Sequence, residues 1–144
     1  MKNVLIVDSD LRNLQFNASE LTSMGYRTLK ASSISKANEI IKSIENNIDF
    51  LIVELNLSNE FISDELKAKT AGGVLTGWVW LYNVARPALA KKPKVIIYSD
   101  FISELEDVME HTANPEEYQF FKNCNLVSVS DAIYNQDLKA LYHL

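Results

Sequence analysis

Val4-Leu5-Ile6-Val7-Asp8 and, 46 positions further on, Phe50-Leu51-Ile52-Val53-Glu54 decide the fold. Each is a short unbroken apolar run closed by an acid. Such a run fits a strand buried on both faces, as in a parallel sheet covered by helices. Between the two runs, Leu11, Leu14, Ala18, Leu21 and Met24 recur at intervals of three and four, the spacing of one helix face. Asp10 suits the N-cap of that helix and Gly25 its C-cap. Tyr26-Arg27-Thr28-Leu29 predicts a second strand. Ser33 predicts the cap of a second helix, with Ala37, Ile40, Ile41 and Ile44 on its buried face. Beyond Glu54, Val74 to Ala85 reads as a helix and Lys94-Val95-Ile96-Ile97-Tyr98 as a strand. A helix carrying Phe101, Leu105, Val108 and Met109 follows. Tyr118-Gln119-Phe120-Phe121 reads as the last strand, and Ser128 or Ser130 opens a final helix through Ile133, Leu138 and Leu141. Five strands alternating strictly with five helices imply a parallel sheet with helices on both faces and right-handed crossovers.

Composition bounds the rest. The 144 residues, 47% apolar and 23% charged, make one globular domain spanning 1–144. A net charge of −5 disfavours nonspecific binding to nucleic acid or to an anionic membrane. Cys124 has no internal partner for a disulfide, and His111 and His143 share no metal-ligand spacing. No apolar run approaches a membrane span, and no secretory signal opens the chain, so a cytoplasmic protein is expected. The stretch 56–72 is polar and aperiodic, an inserted loop or mobile lid between the third strand and the next helix. Val74 to Ala85 is apolar almost all round. It reads as a helix buried on two sides, with Trp80 as an interface anchor in the competing reading.

In an open parallel sheet, ligands bind outside the carboxyl ends of the strands. The residues predicted there are Asp8, Glu54, Ser99-Asp100 and Lys122. Singly, each has a plain reading as a helix cap or a solvated charge; together they make a candidate site. In this order and spacing, KNVLIVDSD, MGYRTLKASS, IDFLIVELNL, KVIIYSD and EEYQFFKN resemble a response-regulator receiver domain, the flavodoxin-like module of two-component signalling. The resemblance covers nearly the whole chain. It implies a doubly wound three-layer (βα)5 fold with strand order 2-1-3-4-5.

The resemblance also implies phosphoryl transfer onto an acceptor carboxylate, assisted by Mg²⁺. It would place Asp8 as the first metal-holding acid, Ser9 as the second, Glu54 as the acceptor position and Asn56 as a backbone-carbonyl ligand. Ser99 would be the switch hydroxyl and Lys122 the phosphate-binding lysine. Two departures outweigh the matches. Ser9 is a poor Mg²⁺ ligand beside a carboxylate, with Asp10 one position on as a partial substitute. Glu54 is one methylene longer than aspartate and carries its carboxylate about 1.5 Å further, a misplacement that can cost on the order of 100-fold in rate. The expectation is therefore a degenerate pseudo-receiver, with no catalytic residue, no required cofactor and weak Mg²⁺ binding at most. A Glu54–Lys122 pair would fill the phosphoryl space. Such a module acts by protein contact with a kinase, an effector or a second copy, in trans and without phosphorylation. The enzymatic alternative is a haloacid-dehalogenase-like, Mg²⁺-dependent phosphatase. There Asp8 would be the nucleophile, Asp10 the general acid–base and Lys122 the third motif.

Overall fold

A computed structural model of the chain describes residues 1–43 and 47–129. Five strands form one parallel sheet in the order β2-β1-β3-β4-β5. They are β1 Asn3–Val7, β2 Arg27–Ala31, β3 Phe50–Val53, β4 Lys94–Tyr98 and β5 Asn125–Val127. All five residues of β1 are buried, as a central strand covered on both faces requires. The register sets Val7 beside Val53 and Val53 beside Ile97, so the carboxyl ends of β1, β3 and β4 lie level.

Side-chain alternation divides the core. Val4, Ile6, Ile52, Ile96 and Tyr98 meet Leu14, Ala18 and Leu21 of α1 (Leu11–Ser23). Leu5, Val7, Leu51, Val53, Val95 and Ile97 face the other way. On that side they meet α2 (Ile34–Ser43), the helical segment 76–88 and the helices of the β4–β5 crossover. Asp10 caps α1, its Oδ1 accepting from Arg12 and Asn13 amides at 2.9 and 3.2 Å. Ser33 accepts from the Lys36 amide. Both caps agree with the sequence reading; Ile44 and the helix expected through Ile133, Leu138 and Leu141 lie outside the described residues.

The stretch after β3, expected as an inserted loop or a mobile lid, carries structure of its own. It holds a short helix α3 (Asp64–Lys67) and a 3-10 turn, Ala71–Gly73. Leu57, Ile62 and Thr70 are buried, and the two aliphatics join the core cluster. Aperiodic spacing hid this, because single buried residues anchor an irregular loop without making a face. Gly72 and Gly73, with φ of 73° and 106°, then turn the chain into a helical rod. The rod comprises α4 (Thr76–Trp80), a π-helical turn (Leu81–Ala85) and α5 (Arg86–Ala88). Pro87 has no amide to offer the carbonyl four residues back, and the turn before it widens: the Arg86 amide donates to Leu81, five residues back. All five residues of α4 are buried. Trp80 is 0% exposed and donates its indole N–H to Asn38 Oδ1 at 2.8 Å, so it is core and not an interface anchor.

Gly77 lets the rod touch the tip of β3. Its amide, one of the unpaired donors of a helix start, donates to the Leu55 carbonyl at 2.8 Å. A Cβ there would sit 2.0 Å from the Glu54 carbonyl oxygen. Gly77→Ala gains helix propensity of up to ~1 kcal/mol, but the clash is backbone against backbone. Overpacking of that kind costs about 1–3 kcal/mol or more. We expect a lower urea midpoint for Gly77→Ala; an unchanged midpoint would contradict this packing.

The last strand and the strict alternation are corrected. Tyr118–Phe121 belongs to helix α7 (Pro115–Lys122), which follows α6 (Ile102–His111) within one crossover. Asn114 accepts from the Glu117 amide at 2.8 Å, Pro115 occupies the first turn, and Glu116 and Glu117 favour the positive helix start. These signals outweigh the strand preference of the aromatic residues. The true β5 is the three-residue Asn125–Val127.

Candidate functional site

At the carboxyl edge of the sheet, Asp8 ends β1, Glu54 ends β3 and Ser99 ends β4. These three expected residues do come together. Ser99 is fully buried, and its hydroxyl donates to Glu54 Oε1 at 2.5 Å. The same carboxylate oxygen accepts from the amides of Leu55 at 2.7 Å and Asn56 at 3.0 Å. Ser99 Oγ in turn accepts from the Phe101 amide at 3.0 Å. Glu54 is thus held by one hydroxyl and two amides, and its extra methylene reaches across to the neighbouring strand.

Asp8 is 2% exposed. Its Oδ1 accepts from the Asp10 amide at 2.9 Å, while Oδ2 has no hydrogen-bond partner. Burial pushes its carboxyl up to about 7, opposed by the Asp10 amide and assisted by the negative charge of Glu54. Burial also raises the Glu54 carboxyl, against the stabilising Ser99, Asn56 and Leu55 bonds. Among the described groups, none that perturbs either carboxyl is basic.

Lys122 is elsewhere, which corrects the expected Glu54–Lys122 pair. It ends α7, before β5 begins, and so belongs to the amino edge of the sheet. Its ammonium is exposed and lies 5.3 Å from the Tyr118 ring centroid. The error follows from the strand misreading: a lysine closing a strand sits at the carboxyl edge, one closing the preceding helix at the opposite edge. The position after β5 is Ser128, half-buried beside Val127, whose carbonyl accepts from the Ser99 amide. Reading Asn114-Pro115-Glu116-Glu117 as a helix start would have moved the strand to Asn125–Val127 and found Ser128.

The remaining acids do not complete a cation site. Ser9 and Asp10 are exposed, and Asp10 is engaged as the α1 cap. Asn56 meets Glu54 through its amide. Among the described residues no cluster of three or more His, Cys, Asp or Glu is placed to hold a metal ion. Among the described residues, Asp8 Oδ2 is the one buried side-chain oxygen without a hydrogen-bond partner, and Glu54, the second carboxylate, has its Oε1 taken by three hydrogen bonds. The residues present do not fit the carboxylate-rich Mg²⁺ site that the receiver resemblance implies. The phosphatase arrangement is also not assembled, since Asp10 is spent on the cap and Lys122 lies at the other edge.

No protein-family model matches the sequence, and no curated protein is similar to it. Solved structures are similar in fold. A response regulator receiver domain protein from Clostridium thermocellum superposes with TM-score 0.57 at 17% identity, over 99% of this chain and 92% of that one. A CheY-like receiver domain from Methylobacillus flagellatus gives 0.53 at 13%, over 98% of each chain. The response regulator TrrA from Thermotoga maritima, solved with Mg²⁺ and BeF, gives 0.52 at 17%, over 98% and 99%. With its parallel strands in the order 2-1-3-4-5, the chain has the flavodoxin-like fold of CheY-like response-regulator receiver domains.

Proposed function

We propose that the chain is a receiver-like module of two-component signalling that works by protein–protein contact and without phosphorylation. The observation that carries this reading is the closure of Glu54 onto Ser99 and the two amides after β3. In the receiver resemblance, the switch hydroxyl contacts a phosphoryl oxygen on the acceptor. Here the longer acidic side chain makes that contact itself, which leaves the hydroxyl already engaged. No basic side chain is among the described groups that perturb Asp8 or Glu54, so the machinery for holding a transferred phosphoryl group is incomplete. A surface held in one state then serves as a fixed docking face for a kinase, an effector or a second copy.

The test is incubation with Mg²⁺ and acetyl phosphate, followed by intact-mass measurement, with Trp fluorescence under Mg²⁺ and beryllofluoride alongside. The expected outcome is no mass gain and unchanged emission. Stoichiometric acyl phosphate on the wild-type chain would overturn the proposal. Ser9→Asp with Glu54→Asp restores the acids but no cation at the phosphoryl position. Adding Ser128→Lys supplies one at the carboxyl end of β5. Acceptance by the triple variant and not by the double is the expected result.

A further inference from the structure

A second concave site lies at the opposite, amino edge of the sheet. It is a cavity of about 590 Å³ between the rod, the loop entering β4, and α7. That volume is within the ~300–1,000 Å³ of small-molecule sites. Leu81, Leu89, Val95 and Phe120 supply apolar walls. Cys124 lines it as well, and burial pushes that thiol up to about 12. The mouth is basic. Arg86, Lys91, Lys92 and Lys94 line it against Glu116, on a chain whose net charge is −5. Asp49 already pairs with Lys91.

Arg86 is held ready for an anion. Its guanidinium stacks 4.2 Å from the Tyr82 ring centroid, and its Nε donates to the Tyr82 carbonyl at 2.9 Å. The Glu116 carboxylate reaches Nη1 at only 3.5 Å and is 75% exposed, a rim contact of little worth that an arriving anion displaces. The π-helical turn before Pro87 includes Leu81 and Tyr82, and so forms part of the apolar wall directly ahead of Arg86. A planar, pre-stacked guanidinium beside an apolar hollow suits a ligand with one anionic head and one greasy body.

We propose that this cavity binds an anionic amphiphile, an apolar molecule carrying a single carboxylate or phosphate head. The body fills the space between Leu81, Leu89 and Phe120, and the head meets Arg86 and Lys92. The site is independent of the Glu54–Ser99 cluster, at the other end of the strands, so either reading can fail without the other.

Trp78 is a built-in reporter, stacked on Tyr82 at 6.1 Å with planes 7° apart. The full chain is titrated with decanoate, decyl phosphate, decanol and inorganic phosphate, by calorimetry and by Trp emission. The expected result is saturable one-to-one binding of decanoate or decyl phosphate, whichever head fits. Decanol should bind about tenfold more weakly or worse, and inorganic phosphate should have no effect. Arg86→Gln removes a charge-assisted contact and should weaken the anion about tenfold or more. Lys92→Glu, at an exposed position, should weaken it in the same sense with the fold intact. Equal affinity for decanol, unaltered anion affinity in both folded variants, or no binding by either amphiphilic anion would overturn the proposal.

Discussion

Trp80→Ala should lose about 3–5 kcal/mol of stability, the usual range for truncating a fully buried Trp. That is a large part of the 5–15 kcal/mol by which domains are ordinarily stable. Two effects combine. The indole is 0% exposed among Leu, Ile and Val side chains of the α2-side core, so its removal leaves a cavity. It also donates to Asn38 Oδ1 at 2.8 Å, the described side-chain bond between the rod and α2, and truncation strands that acceptor. Trp80→Phe separates the two, keeping most of the apolar volume and dropping the hydrogen bond, for a loss of about 1–2 kcal/mol. Urea unfolding followed by far-UV circular dichroism is the measurement. A native midpoint for Trp80→Ala together with lost association would return Trp80 to the interface role that its position in an apolar stripe suggested.

The outcome for Trp80 shows where residues carry structural information on their own. β1, β3 and β4 were legible because a central parallel strand needs only an unbroken apolar run, and those runs end where the strands do. β2, an edge strand with only Ala31 buried, has no such run; it is Arg27–Ala31, shifted from the expected Tyr26–Leu29. β5 was missed because three residues are too few for a period, while Tyr118–Phe121 offered a stronger aromatic signal. The candidate site was half legible for the same reason. Asp8, Glu54 and Ser99 follow legible strands, and the register brings those ends level. Lys122 closes a helix misread as a strand, and so was expected at the wrong edge. The bond from Ser99 to Glu54 depends on a side-chain rotamer, which no periodicity encodes.

Asp8→Asn should stabilise the protein at pH 8 and destabilise it near pH 4. The buried carboxyl of Asp8 titrates at about 7 in the folded chain, against 3.8 when unfolded. Between those values the folded state keeps a proton that the unfolded state releases. Stability from this group is therefore complete below pH 3.8, falls as pH rises towards 7, and levels off above it. A shift of about three units at 1.36 kcal/mol per unit bounds the loss near 4 kcal/mol. Asparagine keeps the acceptor for the Asp10 amide and removes the charge, but it places an N–H₂ where the unpartnered Oδ2 lies. Leaving that donor unsatisfied costs about 1–3 kcal/mol, so the net gain at pH 8 is roughly 1–3 kcal/mol. Glu54, also raised by burial, keeps a weaker decline of the same sign in the variant. Thermal melts of both proteins from pH 4 to 8 should give midpoints that cross, Asp8→Asn the lower near pH 4 and the higher at pH 8. A gap that stays constant across the range would mean that Asp8 ionises in the folded protein as readily as in water, and that a cation or base serves its second oxygen.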